Sequence, residues 1–223
     1  MQNLALNQYI DHTLLKATAT QQDIENLCAE AIKYNFFAVC VNSSYVSLCK
    51  KLLYNTPIKI AAVIGFPLGA MMSEAKEYEA ERAVADGADE IDMVIHIGML
   101  KGGNLDYVRN EIATIKKAIG NKILKVIIET CYLTLDEKTQ AIRMCVEANA
   151  DFVKTSTGFG SGGATIEDVR LMKEIGGSKI KIKASGGIKD AATATQYIEE
   201  GVSRIGTSAG IEILNGEISD KVY

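Results

Sequence analysis

The chain has 223 residues, 48% apolar and 23% charged, which suits a globular fold with a sizeable core and excludes a disordered chain. Lys and Arg number 24 against 28 Asp and Glu, a net charge of −4. The basic footprint of a sequence-independent nucleic-acid binder is therefore missing, and no nucleic-acid partner is expected. Eight short apolar runs follow in order: 9–15, 36–41, 58–65, 90–98, 123–129, 151–156, 179–185 and 203–208. Their starts recur every 22–33 residues, the length of a strand plus a return helix. Between them lie amphipathic stretches. From Thr20, residues Ile24, Leu27, Cys28 and Ala31 share one helical face. Thr20 with Asp23, Thr134 with Glu137 and Thr165 with Asp168 carry N-cap signals, and Gly87, Gly120 and Gly201 stand where helices should stop.

Repeated strand–helix units predict a parallel sheet with right-handed crossovers. Eight evenly spaced units favour a closed α/β barrel, a single (β/α)8 TIM barrel with economical loops and a short N-terminal helix, over an open doubly wound sheet. The dinucleotide fingerprint of the open sheet is absent after the first run, since the first glycine is Gly65. No Ser/Pro-rich linker or composition shift appears, so residues 1–223 read as one domain. Cys28, Cys40, Cys49, Cys131 and Cys145 fit neither a zinc site nor a disulfide framework; most read as core thiols of a reducing compartment. With only His12 and His96, a histidine-based metal centre is not expected. The opening segment lacks the pattern of a signal peptide and no apolar run approaches the ~18 residues of a membrane span, so a cytoplasmic location is expected, with no membrane partner.

In such a barrel chemistry sits at the carboxyl ends of the strands. Asp92, Lys125, Lys154 and Lys183 place charges inside the fourth to seventh runs. One such lysine is more often an exposed strand end or a structural ion pair; several together point to a shared site. Two lysines and a carboxylate suit imine catalysis. A lysine attacks a carbonyl only when neutral, and under ~0.1% is neutral at pH 7 for an ordinary pKa of ~10.4. A dry pocket and a neighbouring ammonium both lower that pKa, and the carboxylate moves protons. Strand parity sets a caution: Lys181 and Lys179 share a face with Lys183, so Lys179 is expected at the open bottom rim, and Lys181 needs a bulge, a carboxylate partner or wet surroundings.

Glycine gives the second signal. SGG at 185–187 and GTSAG at 206–210 follow the last two runs, and GFGSGG at 158–163 follows Lys154. Any one of them is ordinary turn glycine; together they suit a phosphate-bearing ligand held by backbone N–H groups. On residues alone, an aldolase, another phosphosugar barrel enzyme such as an isomerase or transaldolase-like enzyme, and a non-catalytic sensor of a phosphorylated metabolite all remain open.

The segments IDHTLLK (10–16), VIGFPLG (63–69), EIDMVI (90–95), LKVIIET (124–130), FVKTSTGF (152–159), KASGGI (183–188) and RIGTSAG (204–210) resemble the deoxyribose-phosphate aldolase family, in order and over nearly the whole chain. The resemblance implies a class I aldolase that reversibly cleaves 2-deoxy-D-ribose 5-phosphate to D-glyceraldehyde 3-phosphate and acetaldehyde, with no metal or organic cofactor. By the same resemblance Lys154 forms the Schiff base, Lys183 lowers its pKa and Asp92 handles protons. Lys125 matches an interior lysine near that aspartate. Thr13, Cys40 and Thr155 match positions near the substrate, with Cys40 read as packing, and Gly158, Gly186, Gly187, Gly206 and Ser208 match phosphate-binding positions. The partners implied are the phosphosugar, acetaldehyde and, in a homodimer or higher homo-oligomer, further copies of the chain. Two departures stand out: His96 where many relatives carry Asn, and Lys181 where many carry a small residue. His96 is expected to be structural, and Tyr223 is expected to fray as a terminus rather than act as a lid.

Overall fold

Local sequence starts or stops several of the helices. Thr20 and Thr134 form capping boxes with Asp23 and Glu137, and the Thr165 side chain accepts from the Asp168 N–H. Gly87 ends a helix in the left-handed conformation at φ 115°, which costs a residue without a Cβ little. The computed structural model describes residues 5–220, so Tyr223 lies outside the described residues. One 3-10 turn, Leu6–Tyr9, leads into the first strand.

The strands are β1 (Ile10–Leu14), β2 (Ala38–Asn42), β3 (Lys59–Ile64), β4 (Glu90–Val94), β5 (Ile123–Ile127), β6 (Phe152–Lys154), β7 (Lys181–Ser185) and β8 (Arg204–Thr207). All neighbours pair in parallel, and β8 returns to β1, so the barrel closes in chain order as the sequence predicts. The helices are α1 (Gln21–Tyr34), α2 (Val46–Leu52), α3 (Ser73–Asp86), α4 (Ile97–Lys101), α5 (Leu105–Ala118), α6 (Leu135–Glu147), α7 (Ile166–Gly176), α8 (Ala191–Glu199) and α9 (Gly210–Asn215). The fourth predicted run is too long by four residues. Its end, Ile95–Gly98, leaves the strand because the His96 ring Nδ1 accepts from the Met99 N–H and starts α4. The ring of His96 also meets Tyr107 edge-on, which supports its structural reading.

Alternation along each strand sorts the side chains into two layers. Val39, Val41, Ile60, Ile64, Ile91, Met93, Leu124, Val126, Val153, Ile182 and Ile205 face outward and pack with Ile24, Leu27, Ala31, Ile112, Ile142 and Val169 of the helices. Burying each large aliphatic side chain is worth about 1.5–3 kcal/mol. The inner layer is split. Cys40, Ala61 and Val63 with Leu15 form a small apolar cluster against Phe66, whereas the other strands turn charged groups inward. At the upper end of β4, buried Lys76 bonds the Val94 carbonyl at 2.8 Å and Glu111 at 2.7 Å, which anchors the strand to α5. Lys181 is exposed with its Nζ 5.6 Å from the centre of the Phe152 ring, so wet surroundings at the barrel's lower end resolve the parity problem; Lys179, just below β7, is exposed as well.

Candidate active site

Strand register brings the predicted residues together. Asp92 pairs with Lys125 across β4–β5, and Lys154 pairs with Lys183 across β6–β7. All four side chains are buried inside the barrel. Lys154 Nζ donates to Asp92 Oδ2 at 2.7 Å, and Lys183 Nζ donates to the same oxygen at 2.8 Å. Lys125 Nζ donates to the other oxygen, Oδ1, at 2.7 Å. Asp92 is thus the junction of three lysines.

Three charged residues complete the cluster that the sequence reading did not single out. Lys183 also bonds Asp11, and Arg204 bonds Asp11 from the other side. Arg204 Nη2 lies 2.6 Å from Glu90 Oε1, and Lys125 Nζ lies 2.5 Å from Glu90 Oε2. The guanidinium of Arg204 lies 3.5 Å over the centre of the Phe37 ring. Asp11 is an acidic residue inside an apolar run, the same signal that marked Asp92, whereas Glu90 stands at the opening of its run; alternation puts Glu90 on the face of Asp92.

The electrostatics separate the two amines. Burial pushes Lys154 down, Asp92 pulls it up and Lys183 pushes it down again; the net effect is a lowered pKa. Burial also acts on Lys183, but Asp11 and Asp92 outweigh it and hold the pKa above the ordinary lysine value. Lys125 is likewise raised, since Asp92 and Glu90 overcome its burial. Burial opposes ionisation of Asp92, yet Lys125, Lys154 and Lys183 hold it well below the carboxylate range. The arrangement therefore supplies one amine biased towards neutrality, one firmly held ammonium and one firmly held carboxylate.

The residues expected near substrate divide. Thr13 donates to the Asp11 carbonyl at 2.7 Å and borders a cavity of about 340 Å3 that Ser208 also lines. Cys40 is fully buried beside the amines, and burial raises its pKa, so it is a packed thiol. Thr155 is also buried, and its hydroxyl is engaged by the Ser185 backbone, donating at 3.1 Å and accepting at 3.0 Å; it ties β6 to β7. Gly186, Gly187, Gly206 and Ser208 line one pocket at the upper ends of β7 and β8, together with Lys189, which sequence reading missed. Gly158 does not line that pocket but packs near Gly186. The Gly163 and Gly186 backbones press together, and Ala164 N–H donates to the Ser185 and Gly186 carbonyls, which joins the glycine loop after β6 to the loop after β7. Gly206 leaves room for Lys183: a Cβ there would lie 3.1 Å from its Cε. Glu129, a non-glycine residue at φ 52°, accepts from the N–H and hydroxyl of Thr157 and so holds the loop that follows Lys154.

A closed (β/α)8 barrel with buried amines on a shared carboxylate, next to a glycine-lined pocket, fits the aldolases that work through a lysine. A family model for the DeoC/LacD family aldolases matches residues 5–216, and the chain belongs to that family. A deoxyribose-phosphate aldolase of Bdellovibrio bacteriovorus is 54% identical over 96% of this chain and 97% of that protein. One from Finegoldia magna is 55% identical over 96% of this chain and its own full length. Among solved structures, an aldolase named QR15 superposes with a TM-score of 0.91 at 41% identity, covering 96% of each chain. A tetrameric deoxyribose phosphate aldolase from Aeropyrum pernix superposes at 0.86 with 31% identity, covering 94% of this chain and 89% of that one.

Proposed function

We propose that the chain is a class I aldolase that reversibly cleaves 2-deoxy-D-ribose 5-phosphate into D-glyceraldehyde 3-phosphate and acetaldehyde, in the breakdown of deoxyribonucleotides. The observation that carries this reading is the buried amine of Lys154, biased towards neutrality and 2.7 Å from Asp92. The sugar phosphate docks its phosphate at Gly186, Gly187, Gly206 and Ser208, where Lys189 adds a positive charge. Lys154 attacks the C1 aldehyde, and loss of water leaves a protonated imine. Deprotonation of the C3 hydroxyl forms the new carbonyl. The C2–C3 electron pair then flows into the iminium to give an enamine. Glyceraldehyde 3-phosphate leaves, the enamine takes a proton at C2, and water hydrolyses the resulting imine to acetaldehyde and free Lys154. Asp92 moves the protons, through water and Lys183, and Lys183 keeps a positive charge beside the amine. Every step runs on side chains, so neither a metal nor an organic cofactor enters the scheme.

The likeness to the Aeropyrum pernix enzyme supports a homo-oligomer. Among the described residues no helix is long and apolar enough to cross a membrane, which accords with a cytoplasmic enzyme. A coupled assay for glyceraldehyde 3-phosphate tests the reaction. Release from deoxyribose 5-phosphate, lost in Lys154→Leu, is the expected result. Tight binding of the sugar phosphate without turnover would instead indicate a sensor.

A further inference from the structure

Among the described residues, seven charged side chains meet in one buried network: Asp11, Glu90, Asp92, Lys125, Lys154, Lys183 and Arg204. The reaction scheme uses Asp92, Lys154 and Lys183 and leaves the rest without a task. Three of the seven are acids and four are bases. With every group ionised the barrel interior would carry one uncompensated positive charge, a costly state in dry surroundings. With one amine neutral it balances.

The contacts pick out which amine gives way. Arg204 touches both Asp11 and Glu90, Lys183 touches Asp11 and Asp92, and Lys125 touches Asp92 and Glu90 with Asp11 3.6 Å away. Lys154 touches Asp92 alone, through an oxygen it shares with Lys183. We propose, building on the Lys154 reading above, that Arg204 and Glu90 are positioning residues that set the protonation of Lys154 by relay through Asp11 and Asp92. Arg204 occupies one side of Asp11, and this limits the pull of Asp11 on Lys183 and leaves Lys183 on Asp92. Glu90 occupies Lys125 and Arg204, and this limits the claim of Lys125 on Asp92. The groups facing Lys154 from the other strands are Asp11 on β1, Cys40 on β2, Glu90 and Asp92 on β4, Lys125 on β5, Lys183 on β7 and Arg204 on β8; β3 contributes only Ala61 and Val63.

The relay gives opposite signs for the two residues. Removing the charge of Arg204 makes the interior neutral with Lys154 protonated, so its pKa rises. Removing the charge of Glu90 worsens the positive excess, so its pKa falls. At ~10 Å and an effective dielectric of about 20, one unit charge is worth about one pH unit. The test is the acid limb of kcat/KM for sugar-phosphate cleavage, which reports the free enzyme. Arg204→Met is expected to move the limb up by about one unit and Glu90→Gln to move it down by a similar amount. The double variant should return it towards wild type, and Arg204→Lys, which keeps the charge, should leave it in place. A limb position does not depend on the folded fraction. If Arg204→Met gives no folded enzyme, Glu90→Gln and Arg204→Lys decide the matter together. Shifts in the same direction, or none, overturn the proposal. Reductive trapping of acetaldehyde on wild-type Lys154 is the control: its failure removes the Lys154 reading, whereas trapping without opposite shifts removes only the relay.

Discussion

Lys154 and Lys183 stand opposite one another on neighbouring strands and share a single carboxylate oxygen, Asp92 Oδ2. The pair is nonetheless unequal. Lys183 has a second carboxylate, Asp11, and Lys154 has none. Two chemically identical amines are thereby pushed in opposite directions: burial and the Lys183 charge hold Lys154 below the ordinary lysine value, and Asp11 and Asp92 hold Lys183 above it.

Replacing Lys183 with Leu removes the positive charge that pushes Lys154 down. Protonated Lys154 then gains, so the acid limb of activity should move to higher pH by about one unit or more. At neutral pH the rate should fall by about 100-fold or more. A pH–rate profile of the variant checks this, and an unshifted limb would argue that Lys183 acts only in proton transfer.

Asp92→Asn should cost both stability and rate. It leaves three buried lysines without their common partner, a loss of about 3–5 kcal/mol. The sign of the pH effect follows from the lowered pKa of Asp92 in the fold. A carboxylate held below its unfolded value of ~3.9 contributes stability fully above that pH and loses it as pH falls towards the folded value. Chemical denaturation from pH 7 downward should therefore show a shallower acid decline in the variant than in wild type.

Gly163→Ala should separate phosphate binding from aldehyde chemistry. A Cβ at this position would sit 2.3 Å from the Gly186 carbonyl oxygen and force the loops after β6 and β7 apart. KM for deoxyribose 5-phosphate should rise on the order of 10- to 100-fold. Trapping of acetaldehyde, which carries no phosphate, should be retained.

Lys181→Ala should do little. The side chain is exposed at the lower end of the barrel, beside Phe152 and remote from the glycine loops. The expected change in stability is within about 0.5 kcal/mol, with the pH profile unmoved. Thermal melts and rate profiles together check that this basic residue stays outside the network.

Much of the barrel is legible in the chain because its signals are local. The apolar runs, the Thr20 and Thr134 capping boxes and the stop at Gly87 each act over a few residues. Asp92, Lys125, Lys154 and Lys183 are visible as charges inside otherwise apolar strands. Arg204 and Glu90 open their strands, where a charge passes for a solvated strand end, and only barrel closure brings them together. Thr155 looks like a substrate contact in sequence, yet its hydroxyl is engaged by the Ser185 backbone. Glu129 holds Thr157 from far along the chain, so nothing local marks it; Lys189 follows the SGG segment closely, yet a loop lysine there passes for a solvated one.

The proposed reaction turns on the amine at position 154 bonding covalently to an aldehyde carbon. Acetaldehyde and borohydride, followed by peptide mass analysis, test it directly. The expected result is one ethyl group, on Lys154, absent in Lys154→Leu. Labelling on Lys183 or Lys125 instead, or none at all in active enzyme, would contradict it.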